Sequence, residues 1–308
     1  MRKIRIDVPR THQGVSDASG AVSLEPGGTR FLVASDEDQD VTCIRLYDAA
    51  VDGDAIDAFS LDHKKLNPDP EEPELDLEAA AWLGKRIVWI GSHSRNKKAK
   101  LRPSRHRVLA TRLSRKSGKL ALTVTGAPYP SLVADLGKRW PSLELDPKLP
   151  PKEGGLSIEG LSNTSKAGEL LIGLRSPLIG EKALIVRLSN AAEVLDSGET
   201  PRFGQPLLLD LAGRGIRSIE FWPERQRFVI LAGPAGDKKD FSLYWWTGTA
   251  AAEPEEIETV RLSRMKPGEC VSPEAVFVEA RSGTLYVLFD EGRRPGRPSF
   301  RSIAIHGL

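Results

Sequence analysis

Residues 155–161 read Gly-Leu-Ser-Ile-Glu-Gly-Leu, and residues 171–176 read Leu-Ile-Gly-Leu-Arg-Ser. The first stretch is an apolar strand that carries one glutamate, and the second is an apolar strand that ends in an arginine. The same shape, an early glutamate followed by an apolar run, recurs at 75–82, 216–222 and 272–278, with a weaker copy at 14–22. Repetition of one small strand unit along a chain is typical of a propeller or a solenoid.

The fold class predicted from these repeats is all-β: a single β-propeller spanning residues 1–308, with five four-stranded blades. The predicted blades cover approximately 14–62, 75–126, 155–211, 215–262 and 272–305. The last blade is one strand short, and the alternating N-terminal segment 3–8 is predicted to supply its fourth strand and close the ring. Six blades remain an alternative if residues 101–150 form a unit of their own.

Composition excludes several classes of protein. Lys and Arg number 44 against 42 acidic residues, and a net charge of +2 argues against general binding to nucleic acid. Two cysteines give neither a disulfide framework nor a cysteine-rich zinc site. The N-terminus lacks the apolar core of a signal peptide, and no run approaches the roughly 18 apolar residues of a membrane span. We therefore expect a soluble, cytoplasmic protein without a membrane partner.

Blade geometry predicts where charged residues meet. The innermost strand of a blade leaves one face of the disc and the second strand returns to it, so the start of one and the end of the other share a face. The acidic residues near the starts of innermost strands are Asp17, Glu78, Glu159, Glu220 and Glu274. The polar residues after second strands are Asp36-Glu37-Asp38, His93-Ser94-Arg95-Asn96, Arg175-Ser176 and Asp290-Glu291. Both sets are predicted to converge on one mouth of the central channel.

Five carboxylates around a narrow channel need compensation, because close like charges raise one another's pKa. One possibility is a divalent cation: Ca²⁺ prefers several oxygen ligands, and all five carboxylates are candidate metal ligands. The other is internal pairing with Arg95, Arg175 or Arg217, which would form a structural network. The sequence leaves both readings open.

A basic loop over residues 92–103 follows the second strand of the second blade. It could receive phosphate or carboxylate groups of a small anionic molecule, with arginine giving bidentate contacts. The alternative is an exposed, solvated loop, which is favoured for Lys97–Lys100. His93, Arg95 and Asn96 stand directly at the strand end, and a histidine there could transfer protons.

Three phrases resemble a mainly bacterial family, the domain of unknown function 3616. They are Trp89-Ile90-Gly91-Ser92-His93-Ser94-Arg95-Asn96, Ile158-Glu159-Gly160-Leu161 and Gly173-Leu174-Arg175-Ser176-Pro177-Leu178. Asp36-Glu37-Asp38 after Val33-Ala34-Ser35 is similar to the opening unit of that family. The resemblance implies a β-propeller-like fold and brings no reaction with it. A weaker likeness, through the strand-borne Glu-Gly-Leu, is to the esterase-like phytases.

Two functional classes follow. The first is metal-assisted hydrolysis of a phosphoester, with the five carboxylates holding the cation and His93 transferring protons. In that class Arg95, Asn96, Arg175 and Ser176 would bind the anionic substrate. The second is a non-catalytic scaffold that binds a ligand or an unspecified protein at the same mouth.

Overall fold

Five sheets make up the protein, and all their strand pairs are antiparallel except the short parallel pair of residues 12–13 with 53–54. The computed structural model describes residues 3–25, 28–34, 43–66, 69–116, 118–145, 148–236, 240–257, 260, 262, 272–291 and 297–308. The strands are β1 (Arg5–Ile6), β2 (Arg10–Gln13), β3 (Ser19–Ser23), β4 (Arg30–Ala34), β5 (Cys43–Asp48), β6 (Gly53–Asp54), β7 (Asp57–Ser60), β8 (Leu77–Leu83), β9 (Arg86–Gly91), β10 (Val108–Lys116), β11 (Lys119–Tyr129), β12 (Ser157–Asn163), β13 (Leu170–Ser176), β14 (Ala183–Leu188), β15 (Leu207–Leu209), β16 (Gly215–Trp222), β17 (Arg227–Gly233), β18 (Ser242–Trp246), β19 (Glu255–Glu256), β20 (Ser272–Glu279), β21 (Thr284–Asp290) and β22 (Ser299–His306). The α-helices are α1 (His63–Leu66), α2 (Leu132–Arg139) and α3 (Ala191–Ser197), and short 3-10 turns span Pro103–Arg105, Pro141–Leu143, Pro151–Glu153 and Pro223–Arg225.

Each sheet is one blade, and in blades one to four the strands are neighbours in chain order, except that β6 leaves blade one and pairs in the fifth sheet. Blades one to four have the orders β3-β4-β5-β7, β8-β9-β10-β11, β12-β13-β14-β15 and β16-β17-β18-β19. The fifth runs β20-β21-β22-β2-β6, with β1 also paired to β22. The structure therefore confirms a five-bladed β-propeller, and the six-bladed alternative is wrong.

The N-terminal segment closes the ring, through β1 within the predicted residues 3–8 and through β2 just beyond them. β2 pairs antiparallel with one end of β22 (His12 opposite Phe300), and β1 pairs with the other end (Arg5 opposite His306). Pro9 lies between these two short strands, and a proline contributes no N–H to a ladder, so the closing strand is interrupted there. β2 also pairs with β6, which lies in the chain between β5 and β7 of blade one, so backbone hydrogen bonds join the first and fifth blades in addition to side-chain packing.

The core is divided into five hydrophobic clusters, one between each pair of neighbouring blades. Because both faces of every sheet pack on a neighbour, central strands such as β13 and β17 are apolar along almost their whole length. At the seam between blades five and one, the ring of Phe31 stacks on that of Phe277 at 4.9 Å between centroids. This packing makes the ring rigid and fixes the innermost strands around the channel.

The segment 101–150 does not form a sixth blade. Its strands β10 and β11 complete blade two, and β11 is followed by α2, whose residues Leu132, Val133 and Leu136 join the core between blades two and three. Ser131 precedes this helix but makes no capping hydrogen bond through its side chain. Within the described residues, no helix has the length and apolarity needed to cross a membrane.

Candidate functional site

One register irregularity recurs in every innermost strand and determines which side chains point away from the ladder. In β12, Ile158 lies opposite Leu174 and Gly160 opposite Gly173, so Glu159 is an extra residue on a β-bulge. The register shows the same single-residue bulge in the three other blades of this pattern. The bulged residues are Glu78 in β8, Glu159 in β12, Arg217 in β16 and Glu274 in β20.

Blade one follows the pattern with a glycine at the extra position. Its shift lies between Ser19, opposite Ala34, and Val22, opposite Leu32, and the intervening Gly20 has φ +57°. A left-handed conformation is easy only for a residue without a Cβ atom. An added Cβ would also approach the backbone nitrogen of Ala79 at 3.2 Å, so this blade brings no charged side chain to the bulge.

The bulged side chains of blades three, four and five form a buried chain of ion pairs. Glu159 accepts from Arg175 Nη1 at 3.0 Å through Oε1, and its Oε2 lies 2.9 Å from Arg217 Nη1. Arg217 in turn pairs with Glu274 through Nη2. Each carboxylate also accepts a hydrogen bond from the serine two residues earlier: Ser157 donates to Glu159 at 3.0 Å and Ser272 to Glu274 at 2.8 Å. The arginine-pairing alternative therefore describes Glu159 and Glu274.

Electrostatics keep Glu159 ionised although it is 3% exposed. Burial alone would raise the pKa of its carboxyl, but the charges of Arg217 and Arg175 outweigh burial and hold that pKa below the ordinary value. Burial lowers the pKa of Arg217, and Glu159 opposes that effect. The buried network is not fully satisfied: Arg217 Nε lacks a hydrogen-bond partner among the described residues, and Glu159 Oε2 has only its ion pair with Arg217 Nη1.

A cavity of about 810 Å³ opens above this network at the mouth of the channel. Its wall contains seven basic and four acidic residues. They are Arg95, Lys97, Lys98, Arg102, Arg105, Lys152 and Arg175, with Asp76, Glu78, Glu153 and Glu159. The structure thus brings together five of the residues singled out in the sequence: Glu78, Arg95, Asn96, Glu159 and Arg175.

A second buried ion-pair cluster supports the wall of the cavity in blade two. Asp76, 6% exposed, accepts from Arg105 Nη1 at 2.7 Å and from the hydroxyl of Ser92. Arg105 also donates to Ser94 Oγ at 2.9 Å and, through Nη2, to Glu74 at 2.8 Å. Burial works to lower the pKa of Arg105, but the two carboxylates raise it above its ordinary value. These groups hold the base of the basic loop against the strand ends.

The basic loop has a defined conformation set by Asn96. Its side-chain oxygen accepts from the backbone nitrogens of Lys98 and Lys100, both at 2.9 Å, so this amide folds the loop on itself. Arg95 donates to the carbonyl of Ala99 at 3.2 Å. Lys97 and Lys98 are exposed, line the cavity, and form no ion pair with a described residue.

His93 lies behind the cavity wall rather than on it. The ring is 1% exposed, Nδ1 lies 2.9 Å from the carbonyl of Gly91, and Nε2 has no hydrogen-bond partner among the described residues. Burial lowers the pKa of His93 to about 3, with a smaller contribution from His106, whose ring centroid is 5.2 Å away. The imidazole is therefore neutral near pH 7, with its proton on Nδ1. Its role in proton transfer stays a prediction.

The remaining predicted site residues lie in different surroundings. Asp17 precedes β3 and accepts from the hydroxyl of Ser19 at 2.8 Å. Ser176 is fully buried and donates to the carbonyl of Gly155 at 2.6 Å. Glu220 lies three residues beyond the bulge of β16, with no hydrogen-bond or ion-pair partner among the described residues, and burial raises its pKa to about 8. Asp36-Glu37-Asp38 lies outside the described residues.

The sequence named Arg217 only as a possible partner of the carboxylates and missed that it occupies, in blade four, the position that the repeat assigned to Glu220. A signal was available: each bulged charge is followed by a small residue and then an apolar one. The four cases are Glu78-Ala79-Ala80, Glu159-Gly160-Leu161, Arg217-Ser218-Ile219 and Glu274-Ala275-Val276. Glu220 is followed by Phe221 and does not fit. The small residue matters because a Cβ on Gly160 would meet Ile216 Cγ2 at 2.8 Å.

Across the described residues, no group of three or more His, Cys, Asp or Glu side chains is arranged to hold a metal ion. The fold and the mouth define a class of protein: a five-bladed β-propeller with a buried ion-pair chain in its channel and a basic cavity above it. The chain belongs to the family described as protein of unknown function (DUF3616), whose model matches residues 19–124 and 131–267. The resemblance seen in the sequence is thereby confirmed.

Comparison with solved structures gives distant likenesses. A Thermus thermophilus protein proposed to be an oxidoreductase (glucose dehydrogenase) matches with a TM-score of 0.50 and 15% identity, over 98% of this chain and 100% of that chain. The β-propeller domain of Cps50 (Swd1) from Myceliophthora thermophila gives a TM-score of 0.38 and 8% identity, over 94% of this chain and 99% of that one. No curated protein matches the chain. At these identities the first likeness concerns the fold alone.

Proposed function

We propose that the cavity at the channel mouth binds a small organic anion carrying phosphate or carboxylate groups. The observation that carries this proposal is the excess of cations on the cavity wall, seven basic against four acidic residues, in a chain whose net charge is only +2. A concave site lined by one sign of charge attracts ligands of the other sign.

The ion pairs distinguish two groups among five of these cations. Arg105 is held by Asp76 and Glu74, Arg175 by Glu159, and Arg102 by Glu72, so these three support the wall. Lys97 and Lys98 point their charge to solvent at the rim without a carboxylate partner among the described residues. In this proposal the rim lysines attract the anion, and Arg175, which also lines the cavity, adds a positive charge beneath it.

The test is a thermal melt with glycerol 2-phosphate at constant ionic strength. A ligand that binds only the native state at ten times its Kd stabilises by about 1.4 kcal/mol, which shifts the melting midpoint by a few degrees. The double variant Lys97→Ala/Lys98→Ala should lose most of this shift.

The matched control is Lys85→Ala/Lys119→Ala, which removes the same amount of charge at two exposed lysines away from the cavity. Lys85 lies in the turn between β8 and β9, and Lys119 is the first residue of β11. Phosphate esters also stabilise proteins by exclusion from their surface, so the informative quantity is the difference between the two double variants. Equal shifts in both, or none in the unaltered protein, would refute binding at the mouth.

The divalent cation proposed for Asp17, Glu78, Glu159, Glu220 and Glu274 has its own test. A cation that binds the native state specifically must raise the melting midpoint with its concentration. No shift across millimolar Ca²⁺, Mg²⁺ and Mn²⁺ would remove metal-assisted hydrolysis from consideration. Binding of the anion without turnover would leave the non-catalytic scaffold.

A further inference from the structure

A groove of about 560 Å³ lies between blades four and five on the face opposite the mouth. One wall is the turn after β16, where Pro223–Arg225 forms a 3-10 turn, and the other is the turn after β20, Ala280–Gly283. Both turns join an innermost strand to a second strand, which puts them at the far end of the channel from the cavity described above. The floor contains the indoles of Trp222 and Trp245.

The groove is basic and aromatic together. It is lined by Arg225, Arg227 and Arg281, with Glu224 as the single acidic side chain of the lining. Arg225 and Arg281 form no ion pair with a described residue, and Arg227 reaches Glu255 only at 3.5 Å, with both side chains largely exposed. Three guanidinium groups with so little neutralisation leave a site with a local excess of positive charge.

The arginines lie next to flat apolar surface. The two indole rings are 5.5 Å apart between centroids, and the guanidinium carbon of Arg225 stands 5.3 Å from the centroid of Trp222 and 5.9 Å from that of Trp245. An arginine in this position is attracted by the negative faces of the rings. Its plane offers a stacking surface to a second flat group, and its N–H fork a bidentate site for an oxyanion.

Both walls have backbones held in place before any ligand arrives. The carboxylate of Glu279, 5% exposed, accepts from the backbone nitrogens of Arg281 and Ser282, each at 2.9 Å. On the opposite wall, Gln226 donates from its side chain to the carbonyl of Pro223 at 2.6 Å. A site whose walls are already ordered loses less entropy on binding.

We propose that this groove is a binding site for an aromatic anion, a flat ring that carries a phosphate or carboxylate group. The ring packs against the indole of Trp245 and the guanidinium of Arg225, and the anionic group is bound by Arg281 and Arg227. The site is separate from the mouth cavity and does not depend on its ligand.

Three probes separate the two halves of the proposal: phenyl phosphate, cyclohexyl phosphate and inorganic phosphate. Titration is followed by tryptophan emission with excitation beyond the absorption of the phenyl ring, and by saturation-transfer NMR of the probe. Phenyl phosphate should bind at least about fivefold more tightly than either of the others, because only it offers both a ring face and an oxyanion.

Variants locate the site. Arg281→Ala should weaken phenyl phosphate binding by about fivefold or more, as expected for loss of one charge-assisted contact. Trp245→Leu should remove the preference for phenyl over cyclohexyl phosphate. Arg112→Ala, which removes an exposed arginine on β10 outside the groove, should leave both affinities unchanged.

Three outcomes would overturn the proposal: equal affinity for phenyl and cyclohexyl phosphate, an unchanged affinity in Arg281→Ala, or no binding of phenyl phosphate up to about 20 mM. Loss of binding in Lys97→Ala/Lys98→Ala without loss in Arg281→Ala would assign the probe to the mouth cavity and also overturn the proposal. Arg281 is exposed and its variant is expected to fold, which its melting curve checks.

Discussion

Glu220 should make the protein less stable as the pH rises, and replacing it by glutamine should remove that effect. The residue lies on the innermost strand of blade four, only partly accessible, without a hydrogen-bond or ion-pair partner among the described residues. Burial raises its pKa from an ordinary 4.5 to about 8. The folded protein therefore keeps a proton on Glu220 at pH values where the unfolded chain has already lost it.

The sign and size follow from linkage. Between pH 4.5 and about 8 the folded state binds one more proton than the unfolded state, so the free energy of unfolding falls by about 1.4 kcal/mol per pH unit. Below that range both states are protonated, and above it both are ionised, so the loss levels off. From pH 5 to pH 9 the loss attributable to this carboxyl is about 4 kcal/mol.

The measurement is urea denaturation of the unaltered protein and of Glu220→Gln at pH 5, 7 and 9. Glutamine has nearly the shape of protonated glutamate and cannot ionise, so the two proteins should have similar stability at pH 5. At pH 9 the variant should be more stable by about 3–4 kcal/mol. Glu199→Gln, at an exposed glutamate, serves as the control. Its free energy of unfolding should change between pH 5 and pH 9 as much as that of the unaltered protein.

The comparison within each protein between pH 5 and pH 9 is the decisive quantity, because other groups that titrate contribute equally to both. If Glu220→Gln and the unaltered protein lose the same stability over this range, Glu220 is ionised in the folded state and the argument from burial fails. A variant that is less stable at every pH would show that the carboxyl makes a contact with the rest of the protein.

Three further predictions concern the ring. Glu159→Gln should lower the free energy of unfolding at pH 7 by roughly 3 kcal/mol in urea denaturation, because Arg217 and Arg175 lose their shared buried counter-charge; an unchanged stability would mean that the network contributes nothing net. Gly160→Ala should lower the free energy of unfolding by about 1–3 kcal/mol, because the new Cβ would lie 2.8 Å from Ile216 Cγ2. Gly137→Ala in α2, which has open space around it, should be neutral or stabilising by up to about 1 kcal/mol. Equal melting midpoints for the two variants would contradict this. Burial lowers the pKa of His12 to about 4, so between pH 6.5 and 4 the unfolded chain binds a proton that the folded protein does not, and the free energy of unfolding falls by about 3 kcal/mol. His12→Phe should remove this fall. An equal decrease in the free energy of unfolding with falling pH in both proteins would mean that His12 titrates normally.

The architecture could be predicted from the sequence because its signals are local and repeated. Apolar runs of strand length, glycine-containing turns and a last blade short of one strand are all visible along the chain, and the N-terminal segment was the natural partner for that blade. The break at Pro9 was visible too, but its consequence depends on pairing with β22, nearly the whole chain away.

The site was predictable in its location and less so in its contacts. That strand starts and second-strand ends share a face is a property of any blade, so Glu78, Glu159, Arg95, Asn96 and Arg175 could be placed around one cavity. Which of them would face it, and which would be bound to a neighbour, depends on side-chain geometry over a few ångströms. Asn96 shows the difference, because its amide folds the loop that carries it.

The misplaced fourth repeat shows why a bulge is hard to read from a pattern. An extra residue in a strand reverses which face of the sheet the following side chains point to. A repeat unit that is aligned with the others by its glutamate is therefore misaligned whenever that glutamate is not the bulged residue. In blade four the acidic residue lies three positions too late, and an arginine occupies the bulge. That exchange balances the charge at the centre: a glutamate at the bulge of blade four would be a fourth carboxylate and add repulsion, whereas Arg217 bridges Glu159 and Glu274. The repeated bulge therefore determines where a charged side chain lies in each of these blades, and the substitution of arginine for glutamate in blade four determines that this charge is positive.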